Sequence, residues 1–209
     1  MRVIGEYCNW AGIQGSVILD QNGNLFGTTF GGGLYGYGTL FKLTYTPESG
    51  WVETVLYSFN YDDEAYPYSG LISDSNGNLY GTSSGNGVGN GGNGGTVFEL
   101  TPAGDTWILT LLYTFSGGEY CGPHAALTLD AVGDLYGTTN CDGAYSAGNV
   151  LKLTNTGNGW AYSSLHDFTG GADGEYPVSN VSIDTDGNLY GTTQHGGTGA
   201  GGVVWMIRP

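Results

Sequence analysis

Short alternations of apolar and polar residues recur along the chain, separated by clusters of Gly, Asn and Asp. One of them, Leu followed by Tyr or Phe, Gly and Thr, begins at positions 25, 79, 135 and 189, so its copies lie 54, 56 and 54 residues apart. Period-two alternation over a few residues is typical of β-strands with one buried face. The regular spacing predicts a tandem repeat of about 55 residues.

Each repeat is predicted to contain four antiparallel strands. In the second repeat they are expected at about 70–73, 78–83, 96–101 and 107–115. The first connection, Asp74-Ser-Asn-Gly77, has the residues of a tight turn, because Asn and Gly tolerate positive φ. The second connection is a long Gly-rich loop. Four strands at this period predict an all-β fold, a four-bladed β-propeller.

The whole chain is expected to form one domain, with blades at about 13–59, 70–115, 125–168 and 180–207. The fourth repeat ends after its third strand, whereas residues 1–5 precede the first repeat. We therefore expect the N-terminal strand to complete blade four, close the ring and remove a free sheet edge. Two alternatives remain: the chain is a piece of a longer array, or the strand is given to a neighbouring subunit. A monomer is expected, with a strand-exchanged oligomer as the alternative.

Composition indicates a folded, acidic protein. Gly accounts for 41 residues, but 39% of residues are hydrophobic and 13% aromatic, which a disordered chain lacks. The formal net charge is −15 with four cationic residues. Nucleic-acid binding is therefore excluded, because phosphate contacts require clustered Lys and Arg. Apolar runs are too short for a membrane-spanning helix.

The pattern Asp-x-x-Gly-Asn-Leu-Tyr-Gly-Thr-Thr, followed by Gly-Gly, Gly-Thr-Val-Phe-x-Leu-Thr and Leu-Tyr-x-Phe, covers nearly the whole chain. It resembles the bacterial GloVer-type choice-of-anchor tandem repeat family. This resemblance implies an exported or surface-anchored, propeller-like protein and brings no catalytic residues with it. Low Lys content with abundant Tyr, Asn, Gly and Thr also favours an extracellular or cell-surface location, with a leader that is not in this sequence.

The Gly-rich loops and the connections between blades are expected on one face, where binding residues usually lie. The connections share a Glu-Tyr signature. Tyr, Asn and Glu suit sugars, because aromatic rings stack on apolar sugar faces while polar groups bind hydroxyls. The sequence therefore predicts a secreted glycan-binding protein whose candidate ligand-binding residues are Tyr7, Trp10, Tyr35, Tyr37, Tyr66, Tyr120, His124, Tyr145, Tyr176 and His195.

An enzyme is the first alternative. Two carboxylates of the loop face would act as acid and base, or as nucleophile, in a glycoside hydrolase or another polysaccharide-cleaving enzyme. The candidate catalytic residues are Glu6, Glu64, Glu119 and Glu175. A structural or surface-assembly protein with N-terminal strand exchange is the second alternative. For sugar recognition and for catalysis alike, the alternative interpretation of the Glu-Tyr phrase is a structural element of the repeat, with Tyr packed between blades and Glu facing water.

No cofactor is expected. A carboxylate ring that holds Ca²⁺ is a weaker possibility, since no Asp-x-Asp-x-Asp-Gly loop occurs. A transition-metal site from His124, His195 and Glu119 is weaker still. Of the three cysteines, Cys121 and Cys141 belong to the connection and the Gly-rich loop of one blade. We predict a disulfide between them, which implies an oxidising compartment and leaves Cys8 free.

Overall fold

The structure is a computed structural model that describes residues 12–60, 66–85, 94–118 and 121–208. In these residues every regular element is a β-strand, and the strands form four antiparallel four-stranded sheets. The predicted all-β repeat architecture is therefore confirmed. The same part of the chain contains no helix with the length and apolar character that crossing a membrane requires.

The four sheets follow the four repeats in order. Sheet 1 consists of β1 (Ile18–Leu19), β2 (Leu25–Thr29), β3 (Thr39–Thr46) and β4 (Gly50–Ser58). Sheet 2 consists of β5 (Ile72–Ser73), β6 (Leu79–Ser83), β7 (Thr96–Ala103) and β8 (Thr106–Thr114). Sheet 3 consists of β9 (Thr128–Leu129), β10 (Leu135–Thr139), β11 (Asn149–Asn155) and β12 (Trp160–Asp167). In each of them the strands are adjacent in chain order.

Sheet 4 differs from the others. It consists of β13 (Glu175–Pro177), β14 (Ser182–Ile183), β15 (Leu189–His195) and β16 (Val204–Ile207). The long strand β15 pairs with the other three, β14 and β16 along one half and β13 at its end. The N-terminal strand that was predicted to complete this blade, residues 1–5, lies outside the described residues.

An aspartate organises the tight turn between the first two strands of each repeat. Asp20 Oδ1 accepts hydrogen bonds from the backbone N–H groups of Asn22 and Asn24, both at 2.8 Å, and its Oδ2 accepts one from the Asn24 side chain. Asp74 and Asp184 repeat all three bonds. Because hydrogen bonds among five consecutive residues close the turn, the local sequence of each repeat specifies its first hairpin.

These turns predict a loss of stability in acid. Hydrogen bonds, chiefly from Asn188, lower the pKa of Asp184 from its ordinary value to about 2. A carboxylate with a lowered pKa in the folded state stabilises the fold above its unfolded pKa, and this contribution disappears as the pH falls towards the folded pKa. We therefore expect Asp184→Asn to have a lower melting temperature than the wild type at pH 7. The difference in melting temperature between the two proteins should shrink as the pH falls from 4 to 2. Asp186→Asn, which removes the same charge from the same turn, is the control; an equal effect would contradict the assignment.

A glycine on the second strand faces an aromatic ring on the third strand. The register pairs Gly27 with Phe41, Gly81 with Phe98 and Gly191 with Trp205. At Gly81 a β-carbon would come within 2.5 Å of the Phe98 ring. In these three repeats the ring therefore lies over the glycine in the space that a side chain would fill, which explains the Gly of the repeat phrase there.

Successive sheets pack through three equivalent apolar clusters. The cluster between sheets 1 and 2 contains Leu40, Phe59 and Leu71. In the next cluster Val97, Phe115 and Leu127 take the same places, and in the third cluster Val150, Phe168 and Val181 do so. Among the described residues there is no fourth cluster of this kind between sheet 4 and sheet 1.

Candidate functional site

The irregular segments that are long enough to form a site gather at one edge of the sheets. The second strand of each repeat ends at this edge, the third begins there, and the connections between sheets return there. We call it the loop face. Its described segments are 12–17, 30–38, 59–60, 66–71, 84–85, 94–95, 115–118, 121–127, 140–148, 168–174, 178–181 and 196–203. The Asp-containing turns lie at the opposite edge, the turn face.

Five aromatic rings form a continuous row on the loop face. The Phe30 ring stacks on Tyr66 with centroids 4.7 Å apart and meets Tyr68 edge-on at 6.0 Å. Tyr37 meets Tyr66 at 5.6 Å, and Tyr68 stacks on His124 at 4.9 Å. The row therefore crosses from the first repeat to the third, and the Tyr68 ring is the most exposed member.

A second aromatic pair lies on sheet 4. Tyr176 meets the His195 ring edge-on with centroids 5.9 Å apart. Glu175, the residue before this tyrosine, is the register partner of His195 in the pairing of β13 with β15. This arrangement brings one predicted carboxylate and two predicted ligand-binding rings together at one strand end.

Two tyrosines of these groups have an unusual backbone. Tyr66 has a φ of 67° and Tyr176 a φ of 56°, in the left-handed region. That conformation costs a residue with a β-carbon about 1–2 kcal/mol. Glycine would avoid the cost, yet both positions hold an aromatic residue. Such strain often accompanies a functional role.

The predicted disulfide is confirmed. Cys121 and Cys141 are bonded, and the Cys141 backbone N–H donates to the Cys121 carbonyl at 3.1 Å. The bond joins the connection that enters sheet 3 to the Gly-rich loop of the same repeat. Because His124 follows Cys121 by three residues, the disulfide restrains the end of the aromatic row. Cys8 lies outside the described residues.

The other predicted site residues fall into two groups. Tyr35 and Tyr145 are exposed on Gly-rich loops, apart from the aromatic row. Of the four candidate catalytic carboxylates, Glu175 is described and half-buried. Outside the described residues lie Glu6, Tyr7, Trp10, Glu64, Glu119 and Tyr120.

The described residues contain no group of three or more His, Cys, Asp and Glu side chains that would hold a metal ion. On the loop face, Asp173 Oδ2 lies 3.2 Å from Nε2 of His166. Burial alone would raise the pKa of Asp173, but hydrogen bonds from Thr169 and His166 outweigh it, so the pKa is lowered. Asp173 thus fastens the loop after β12 to the outer strand of sheet 3 and is not available as a free ligand.

Two features were missed from the sequence. Phe30 and Tyr68 join the aromatic row although neither belongs to a Glu-Tyr phrase. On the turn face, a groove of about 620 Å³ between sheets 1 and 2 is lined by Trp107, Phe26, Lys42 and two turn aspartates. The Lys42 ammonium lies 5.7 Å from the Phe26 ring centroid. The Phe26 ring also meets Trp107 of the next repeat edge-on, at 6.1 Å. Contacts between repeats such as this one leave no local motif in the sequence.

Comparison with solved structures gives forty matching chains. A protein of unknown function from Dyadobacter fermentans DSM 18053 matches with a TM-score of 0.54 and 15% identity, over 96% of this chain and 64% of that one. A protein provisionally assigned as a gluconolactonase matches with a TM-score of 0.49 and 16% identity, over 92% of this chain and 57% of that one. The chain thus spans less than two thirds of the length of either structure. These structural neighbours are β-propeller-like.

No curated protein sequence matches the chain. The sequence profile of the Gloeobacter/Verrucomicrobia repeat matches residues 12–209, which include all four sheets. The match confirms the family that the repeat phrases resemble. The chain belongs to the Gloeobacter/Verrucomicrobia repeat family.

Proposed function

We propose that the chain is a glycan-binding protein whose four sheets are blades of a β-propeller and whose loop face holds the sugar. The observation that carries this proposal is the row of aromatic rings Tyr37, Tyr66, Phe30, Tyr68 and His124. Apolar faces of sugar rings pack on aromatic rings, while hydroxyls bind carboxylates, amides and backbone groups. A row of rings offers successive positions for the units of a polysaccharide.

Backbone strain supports a role for the row beyond packing. Tyr66 stacks on Phe30 and adopts left-handed φ, although glycine at the same place would remove the strain. The Tyr68 side chain remains exposed although it contacts Phe30 and His124. A side chain selected for packing alone would be buried more completely.

An extracellular or cell-surface location is part of the proposal. Disulfides persist in oxidising compartments, and Cys121–Cys141 restrains the loop face itself. The net charge of −15 disfavours polyanionic ligands, because like charges repel at close range. Neutral plant or microbial polysaccharides are therefore the first ligands to test.

Affinity for such a polysaccharide is expected to depend on Tyr68. Replacing Tyr68 by alanine removes the exposed ring of the row, and we expect Kd to rise roughly tenfold, the loss of one aromatic contact. Tyr45→Ala is the matched control, because Tyr45 is also exposed but lies near the turn face, edge-on to Trp51. Isothermal titration calorimetry on wild type and both variants measures the difference in Kd.

The groove on the turn face is the competing site for the sugar. If Trp107→Phe weakens binding and Tyr68→Ala does not, the sugar lies in the turn-face groove and the loop-face proposal fails.

The glycoside hydrolase alternative makes a different prediction. A hydrolase needs a pair of carboxylates, and Glu175 is the described candidate. If the chain cleaves polysaccharide, new reducing ends accumulate, and Glu175→Gln abolishes them while leaving affinity nearly unchanged. Binding without product release favours the glycan-binding function.

A further inference from the structure

We infer that sheet 4 binds sheet 1 of a second copy of this chain, through the same contacts that join successive sheets within one copy. This inference concerns an interaction surface and is independent of the proposed glycan site. It rests on two sets of equivalent positions that are buried at every internal interface and exposed at the two ends of the described chain.

The first set faces the following repeat. Leu40, Val97 and Val150 occupy one position on the third strand, just before the residue that covers the glycine, and each is fully buried. Val204 occupies that position in sheet 4 and is 81% exposed. Its three equivalents pack against the next sheet, so the exposed valine lacks the partner that the repeat provides elsewhere in the described chain.

The second set faces the preceding repeat. Leu71, Leu127 and Val181 lie eight residues before the Leu of the repeat phrase and are 2–3% exposed. Val17 holds the same position in the first repeat and is 45% exposed. Leu40 and Leu71 belong to the same buried cluster at the first internal interface. Their equivalents share one cluster at each of the two later interfaces. The missing pair is therefore Val204 with Val17.

A polar contact accompanies each internal pair. The Thr28 hydroxyl donates to the Ser69 carbonyl at 3.1 Å, and Thr138 donates to the Ser179 carbonyl at 3.0 Å. These threonines are buried, whereas the equivalent Thr192 of sheet 4 is exposed. The carbonyl at the matching position of sheet 1 belongs to Gly15, so a second copy would supply the acceptor.

The outer side of sheet 4 also has room for more chain. A groove of about 380 Å³ lies between β12 and β16 and is lined by Phe168, Asp173, Trp205 and neighbouring residues. The Trp205 indole N–H is buried there without a hydrogen-bond partner among the described residues. Edge strands with unpaired backbone groups accept further strands readily.

The two surfaces differ from each other, so the contact is head-to-tail. Such contacts form closed rings or open chains, depending on the rotation between copies. Within one copy, Val17 and Val204 do not cover each other, since both are exposed. A second copy is the inferred partner, because its exposed positions are the equivalents of residues that pack together at three internal interfaces.

The test exploits this directionality. Val204→Asp blocks one surface and Val17→Asp blocks the other, while each variant keeps one intact surface. We expect the wild-type chain to associate as its concentration rises from micromolar to millimolar in sedimentation velocity. Each variant alone should stay monomeric, with association at least about a hundredfold weaker, because a buried unpaired charge opposes contact. An equimolar mixture of the two variants should form a dimer through the remaining intact pair.

Val132→Asp is the matched control. Val132 is as exposed as Val204 but lies in a turn on the turn face, so its replacement should leave association unchanged. Circular dichroism checks that all variants fold. A wild-type chain that remains monomeric at millimolar concentration, variants that fail to complement each other, or equal disruption by Val132→Asp would each overturn the inference. A ring closed within one copy would give the first of these results.

Discussion

Replacing Gly81 by alanine is expected to lower the free energy of unfolding by about 1–3 kcal/mol, the usual cost of forcing extra volume into a packed core. The new β-carbon would lie 2.5 Å from the Phe98 ring and 2.9 Å from a methyl carbon of Leu71. Both neighbours are buried in the cluster between sheets 1 and 2 and have little space to move. Chemical denaturation measures the change.

Gly137→Ala is the matched control in sheet 3. There the third strand supplies Leu151 in place of an aromatic residue. The nearest atom to an added β-carbon is a terminal methyl of Leu127 at 3.0 Å, and Leu151 lies 3.7 Å away. A smaller cost is expected, because a leucine methyl can shift more easily than a buried ring. Equal costs at the two positions would contradict the role assigned to the aromatic ring.

Removing the disulfide should have the largest effect on stability. Cys121 and Cys141 are separated by 20 residues, and a crosslink of that span stabilises a fold by about 3 kcal/mol through the unfolded chain. For a chain of this size the double replacement by serine is expected to lower the melting temperature by about 6–12 °C. Differential scanning calorimetry with and without reductant measures this shift.

The same variant should also weaken glycan binding. The disulfide restrains the segment that carries His124, at the end of the aromatic row. Cys8→Ser is the control, since it removes the remaining cysteine of the sequence. The pairing would be contradicted if Cys8→Ser were as unstable as the double variant. It would also be contradicted if reductant left the melting temperature of the wild type unchanged.

The repeat architecture could be predicted because its signals are local. Each Asp-centred turn closes through atoms within five residues, so Asp20 and Asp74 specify their hairpins wherever the chain places them. The disulfide was predictable for a related reason. Connections that alternate between two edges place Cys121 and Cys141 at the same edge of one sheet.

Contacts between repeats were harder to predict. Tyr68 and His124 are 56 positions apart and stack through the packing of neighbouring repeats, which no sequence phrase encodes. The same limit applies to the ends of the described chain. Val17 and Val204 are apolar like their buried equivalents, so their residue types do not distinguish them, and their exposure depends on the arrangement of the sheets.

The most direct test of glycan binding at the loop face is an array of plant and microbial polysaccharides. It would be probed with the wild-type chain and with Tyr66→Ala/Tyr68→Ala, which removes two rings of the aromatic row. We predict that the wild type binds at least one neutral polysaccharide and that the double variant loses this binding while remaining folded. Binding to none of the polysaccharides by the wild type, or equal binding by both proteins, would contradict the proposed function.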